Sequence, residues 1–278
     1  MPAYATPGPI AATVEVAGAR VRVTASDRTD TVVLVEPINE ASRLDVKVAS
    51  KTKVGFADGQ LSVKTTTSGD KNGSVSITID LPADSSLAAY LAHSSVQVDG
   101  PVGRCELHLA SGQVQLDRIG ALQASIASGE VAIGHIAGGA NVDGGAFTMR
   151  IGEVRGTVGL TSSGGHAWIG YASDDLALSS GSGGFDIDRA DGSITATTAS
   201  GAIRIGRMTH GQAKLKNGSG NIEVGIGEGT AASIDVNSER GAVHDFVSPQ
   251  GNPDPSDRTV MVYARTRHGD IIIQRAAS

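Results

Sequence analysis

The feature that most constrains this chain is a glycine that returns at a nearly constant interval. Gly112, Gly129, Gly145, Gly165, Gly183, Gly201 and Gly220, usually preceded by serine, are separated by 17, 16, 20, 18, 18 and 19 residues, with Gly241 and Gly269 following less regularly. Two and four residues after each glycine stand apolar side chains: Val114/Leu116, Val131/Ile133, Phe147/Met149, Ala167/Ile169, Phe185/Ile187, Ile203/Ile205 and Ile222/Val224. Ile271/Ile273 repeats the pattern after Gly269. A spacing of two is strand periodicity, because successive side chains of a strand point to opposite faces. The residues between are mostly polar or small, among them Gln115, Thr148, Trp168, Asp186, Arg204 and Glu223. One face is therefore inward and the other outward.

Each repeat also has a second half. A break such as Ile119-Gly120, Asp191-Gly192 or His210-Gly211 leads into another short alternating run, for example Leu122/Ala124/Ile126, Val158/Leu160 or Ala213/Leu215. The unit is two strands of about five residues joined by tight turns. One such unit buries too little to be stable alone, whereas stacking at about 4.7 Å builds continuous apolar ladders. An antiparallel meander of hairpins would also show alternation and glycine turns. A constant period with one residue class at one phase favours parallel stacking. The expected fold is all-β: a parallel β-solenoid, or β-helix, of about eight or nine two-strand rungs of about 18 residues.

The first third differs. Residues 12–16, 20–23, 31–35 and 44–48 read as strands, and Asp58-Gly59 between Phe56 and Leu61 is a hairpin signal. Asn72-Gly73 precedes a further alternating strand, Val75/Ile77/Ile79. A solenoid needs an end that does not recruit other chains, so residues 1–82 are expected to form an N-terminal antiparallel β-hairpin cap. Residues 83–278 are expected to form the solenoid, continuous with the cap, interrupted by an exposed loop at 246–258 that carries Pro249, Pro253 and Pro255.

The unit Ser-Gly-x-apolar-x-apolar occurs as Ser111-Gly112-Gln113-Val114-Gln115-Leu116, Ser200-Gly201-Ala202-Ile203-Arg204-Ile205 and Ser219-Gly220-Asn221-Ile222-Glu223-Val224. Ile77-Thr78-Ile79-Asp80-Leu81-Pro82 precedes the array, and Arg267-His268-Gly269-Asp270-Ile271 closes it. With these segments most of the chain resembles the bacterial adhesin-like, toast-rack β-strand-repeat family, a domain of unknown function. Their order is similar to that of the soluble, actinobacterial branch. The resemblance implies a β-strand-repeat fold and brings no catalytic motif. Its family label implies a surface protein.

Composition narrows the function. Aromatic residues make up only 3 % of the chain while glycine numbers 37, which suits thin stacked layers of Val, Ile, Leu and Ala. The net charge of −6 argues against nucleic acid or an anionic membrane as the main partner, since an acidic protein releases no counterions from either. Cys105 is the single cysteine, so no internal disulfide forms, and its phase with Leu107 and Leu109 makes it a buried thiol. The stretch Met1–Pro9 carries neither the charge nor the apolar run of an export signal, and no segment has the ~18 apolar residues of a membrane span. A cytoplasmic location without membrane insertion is the expectation.

No phosphate-binding loop, zinc-binding His-Glu-x-x-His, Cys-x-x-Cys or nucleophile elbow occurs. Gly181–Asp188 faintly resembles a calcium-binding β-roll repeat but is not in tandem, and calcium needs six to eight oxygens. The chain is accordingly expected to be no enzyme and to need no cofactor or metal.

One arrangement points to binding. Six residues after the repeat glycines lie Arg118, His135, Ile151, Tyr171, Arg189, Arg207 and Ile226, which equal phase would align in a column. Trp168, the only tryptophan, would project outward in line with Asp186, Arg204 and Glu223. An exposed aromatic beside arginines is typical of interface hot spots. The candidate surface is therefore Trp168, Tyr171, Arg189, Arg204 and Arg207; solvated turn residues that resist edge association would look the same. The expected function is a non-catalytic β-solenoid that binds or scaffolds another protein. Self-assembly into a bactofilin-like filament, and a carbohydrate-active β-helix enzyme or surface adhesin, are the alternatives.

Overall fold

A computed structural model describes residues 2–65, 73–247 and 259–276. Asn72 and residues 248–258 of the proline-rich loop lie outside the described residues. The chain divides into two compact units, Met1–Ala137 and Gly138–Ser278.

The first unit contains β1 (Ala3–Ala5), β2 (Ala11–Ala17), β3 (Ala19–Ser26), β4 (Asp30–Pro37), α1 (Arg43–Lys51), β5 (Lys53–Ala57), β6 (Gln60–Lys64), β7 (Val75–Pro82) and β8 (Ser86–Ile136). β8 is a 51-residue extended run that winds through successive rungs. β2 and β3 form one rung, parallel to β8 on one side and to β6 and β7 on the other. Columns such as Ile77–Val21–Val96 and Ile79–Val23–Val98 follow from this register. Ile77 and Ile79 are fully buried and Val21, Val23 and Val98 nearly so. The antiparallel elements are β1–β4–β7 and the β5–β6 hairpin, which cover the outer side of β6 and β7. Asp58 and Gly59 turn that hairpin with φ of 49° and 73°, the paired positive values of a tight turn matched to the twist of its strands.

Residues 44–48, which alternate as a strand would, lie instead in α1. Ser42 caps the helix: its Oγ accepts from the Asp45 backbone N–H at 3.3 Å. The Asp45 carboxylate in turn accepts from the backbone N–H groups of Asn39 at 3.0 Å and Ser74 at 2.9 Å. Only Asp45 and Val48 of the helix are buried, and Leu44 and Val46 face outward. The alternation was misleading because the cap and the bridge to Ser74 reward a turn of helix more than an outer strand could.

The second unit contains β9 (Ala140–Val154), β10 (Val158–Ala172), β11 (Leu176–Ala190), β12 (Ile194–Ser200), β13 (Ile203–Met208), β14 (Gly211–Ser219), β15 (Ile222–Ile226), β16 (Ala231–Arg240), β17 (Val243–Asp245), β18 (Thr259–His268) and β19 (Ile271–Arg275). β9, β10 and β11 are 15 residues each and lie in parallel register at an offset of 18. This register corrects the phase around Gly145. Phe147, not Gly145, stands opposite Gly165, and the inward pair beside Ala167/Ile169 is Met149/Ile151. With Phe147 in the glycine's place, the irregular intervals of 16 and 20 become two of 18.

Spatial order departs from chain order at the last rungs. β18/β19 insert between β14/β15 and β16/β17, so the final rung is built from residues earlier in the chain. The inward column therefore reads Ile151–Ile169–Ile187–Ile205–Val224–Ile273–Asp245. Its six apolar members are at most 1 % exposed, each burial contributing about 1.5–3 kcal/mol. Asp245 could not occupy an interior rung without an unpaired buried charge, which explains why β17 is outermost.

Candidate functional site

The candidate residues all lie in the second unit, on the outward face of the sheet formed by the later halves of β9–β11 with β13, β15, β19 and β17. Each is set there by the strand alternation: Trp168 between buried Ala167 and Ile169, Arg204 between buried Ile203 and Ile205. Parallel register places Arg150, Trp168, Asp186, Arg204 and Glu223 in one outward row. A second row runs Glu153–Tyr171–Arg189–Arg207. The expected column thus holds for Tyr171, Arg189 and Arg207, but Glu153 replaces Ile151, which is buried in the core. Ile226 is likewise inward, opposite Met208, because a register shift interrupts the β13–β15 ladder between Ile205 and Met208. Arg118 and His135 belong to the first unit.

Trp168 is half-buried rather than free in solvent. Its indole lies along its own strand over Gly170, where a Cβ would meet ring atoms at 3.1 and 3.4 Å. One rung on, the Arg189 guanidinium sits 5.1 Å from the Tyr171 ring centroid, a cation–π contact. Asp191 ties this corner together. It accepts from the Tyr171 hydroxyl at 2.9 Å, from Arg189 Nη2 at 2.7 Å and from Thr209 Oγ1 at 2.9 Å. Burial pushes the Asp191 carboxyl up, but the bonds from Arg189, Thr209 and Tyr171 together outweigh it and hold it below the usual carboxylate range. The same bond to Asp191 pushes the Tyr171 hydroxyl up.

Arg204 is neutralised from three sides, by Asp186 at 2.9 Å and by Asp188 and Glu223 at 3.9 Å. The Asp186/Asp188 pair is thereby engaged in the ladder. Arg207 differs: its Nε is buried and has no hydrogen-bond partner among the described residues. The structure therefore joins Tyr171, Arg189 and Arg207 in one row and sets Trp168 and Arg204 in the neighbouring one, with Asp186 between them. The result is an ordered outward display of one indole, one phenol and the guanidinium groups of Arg189, Arg204 and Arg207, with Arg150 next to the indole. Its most buried carboxylate, Asp191, is held ionised and so is not poised as a general acid.

A second concave surface, in the first unit, escaped the sequence reading. A groove of about 650 Å³ runs over Ala17, Ala92, Ala110 and Ala127 beside Tyr90 and His108. The Tyr90 and His108 rings stack at 4.6 Å and 2°. Glu106 bridges them, 2.9 Å from His108 Nε2 and 3.3 Å from the Tyr90 hydroxyl. The 18-residue separation of Tyr90 and His108 was the available signal. Cys105 is buried as its phase implies, and desolvation pushes its thiol up to about 12. Among the described residues no three His, Cys, Asp or Glu side chains gather as a metal site, and no helix is long and apolar enough to cross a membrane.

Known structures offer distant likenesses. The chain is similar to a candidate adhesin from Bacteroides fragilis, at 12 % identity over 98 % of this chain and 95 % of that one, with a TM-score of 0.35. It is also similar to a candidate adhesin from Parabacteroides merdae, at 11 % identity over 99 % and 95 % with a TM-score of 0.33. A candidate lipid-binding protein from Parabacteroides distasonis aligns at 10 % identity over 99 % and 96 %, with a TM-score of 0.36. No curated protein matches the chain. The profile of one family of unknown function spans residues 11–274, nearly the whole sequence of parallel rungs described above, and the chain belongs to that family, Toastrack DUF4097.

Proposed function

We propose that the chain is a non-catalytic β-solenoid whose second unit presents the Trp168–Tyr171–Arg189–Arg204–Arg207 face to another protein. The observation that carries this reading is the placement of the only tryptophan, half-buried on the outward face of a parallel sheet. Tyr171 with its arginine cap lies in the adjoining row. Aromatic and arginine side chains held on a preformed surface lose little entropy on binding and are the usual anchors of interfaces. The three arginines contribute differently. Arg189 and Arg204 are internally neutralised and brace the surface, whereas Arg207, whose buried Nε has no hydrogen-bond partner among the described residues, would contribute through the rest of its half-buried side chain. Asp245 at the inward phase of the outermost rung argues against growth by end-to-end stacking, because an inward charge blunts an open sheet edge.

The test is Trp168→Ala. Stability should change by about 1 kcal/mol, as for a half-exposed site, while capture of the partner from native extract weakens by about 2 kcal/mol, a typical hot-spot loss. A variant that folds and captures the same proteins undiminished would remove this face from consideration. One that unfolds outright would show the indole to be core.

A further inference from the structure

We propose that the second unit carries, on its other sheet, a groove that binds an acidic glycan. The outward face of β12, β14, β18 and β16 is set by parallel register: Thr197, Lys216, Arg265 and Asn237 share one row. Thr195, Lys214, Tyr263 and Asp235 share the row beside it. Arg267 stands two residues beyond Arg265 and Glu239 two beyond Asn237. The outward positions of these four strands hold four cations, Lys214, Lys216, Arg265 and Arg267, against two carboxylates, Asp235 and Glu239. A chain of net charge −6 thus gathers an excess of positive charge on one sheet, which total composition cannot show.

The local geometry is concave. Gly218 lacks a side chain between Lys216 and Arg267, and a groove of about 310 Å³ opens there. Its cations are not spent equally. Arg265 is held by Asp235 at 2.7 Å and lies 4.0 Å over the Tyr263 ring, so it serves as a wall. Arg267 reaches Glu239 only at 3.9 Å, with both side chains more than 60 % exposed, a pair of little energetic weight. Lys214 and Lys216 form no ion pair among the described residues. Three cations are therefore available: Lys214 and Lys216 about 7 Å apart along β14, and Arg267 roughly 7–8 Å from Lys216, diagonally across on β18.

A polymer with a charge on each monomer meets such a grid with several contacts at once, which multiplies weak single attractions. The uncharged side chains favour a sugar polymer over nucleic acid. Thr197 and Asn237 offer hydroxyl and amide groups suited to sugar hydroxyls. The one nearby aromatic, Tyr263, has a face covered by Arg265, and no ring lines the groove on which a base could stack.

The probe is a heparin-derived octasaccharide titrated into the full chain. Binding at low salt that fades as salt is raised is expected. Lys216→Glu with Arg267→Glu should weaken it about tenfold or more, whereas Arg20→Glu with Arg104→Glu, an equal change of net charge in the first unit, should leave it within about twofold. Should the first pair fail to fold, Lys216→Gln alone reads the same loss in smaller measure. Three results overturn the proposal: no binding by the wild-type chain, equal losses in both double variants, or an oligodeoxythymidine of matching charge that binds as tightly as the octasaccharide.

Discussion

Replacing Gly165 with alanine tests how closely the rungs are stacked. Gly165 has φ of +100°, where an L side chain is strained by about 1–2 kcal/mol. A Cβ there would also overlap the carbonyl oxygen of Phe147 on the preceding rung and lie 2.7 Å from its carbonyl carbon and 2.8 Å from its nitrogen. These are backbone atoms of a paired strand and cannot swing aside, so relief requires moving the rung, an overpacking cost of about 1–3 kcal/mol. The total is about 2–5 kcal/mol, or a fall in melting temperature of roughly 5–15 °C for a chain of this size. Two other glycines separate the terms. Gly59 also has positive φ, +73°, but nothing within 4 Å of a Cβ, so Gly59→Ala should cost only the conformational part, about 1 kcal/mol. Gly55 has neither constraint, and Gly55→Ala should stay within about 0.5 kcal/mol of wild type. Thermal unfolding followed by circular dichroism ranks the three. If Gly165→Ala melts no lower than Gly59→Ala, the rungs are not stacked backbone to backbone as described; insolubility of Gly165→Ala alone supports the same ranking.

Two further outcomes follow from titrating groups. Asp191 is held below its ordinary value, so its contribution is complete at neutral pH and is lost as pH falls through the ordinary carboxylate value of about 3.9 and below. Wild type should lose more stability than Asp191→Asn between pH 7 and pH 3 in urea titrations; parallel losses would show that the bonds from Tyr171, Arg189 and Thr209 hold nothing. Cys105, with its thiol pushed up to about 12 by burial, should ignore a thiol reagent at pH 8 until denaturant is added, and full native labelling would place it at the surface.

Much of the architecture was legible because a solenoid writes one instruction many times. Apolar side chains at the same two phases after the glycines other than Gly241 leave only one face that can be buried, and each of the apolar pairs named above, from Val114/Leu116 to Ile271/Ile273, is buried. The outward position of Trp168 and the common row of Tyr171, Arg189 and Arg207 follow from that phase. The helix α1 was hidden by the period-two spacing of Leu44, Val46 and Val48, although Ser42-Arg43-Leu44-Asp45 carried a helix-capping signal. The exchange of Ile151 for Glu153 in the outward row came from taking Gly145 as a repeat glycine, when the pairing of β9 with β10 sets Phe147 in that place.

What the repeats alone determined is which side chains face inward, since burial of one face fixes strand register to within an even number of residues. They did not determine which rung stacks on which, because rungs built from one pattern are nearly interchangeable partners. Tertiary structure decided that β18/β19 lie inside β16/β17, and the reason is local: Ile271 and Ile273 can be covered on both sides, whereas Val243 and Asp245 can tolerate only one. It alone also decided the chemistry of the outward rows. Whether an arginine is spent on a neighbouring carboxylate, as Arg204 is on Asp186, or has its Nε buried without a hydrogen-bond partner among the described residues, as Arg207 does, depends on contacts between rungs 18 residues apart and on the bulge after Ile205.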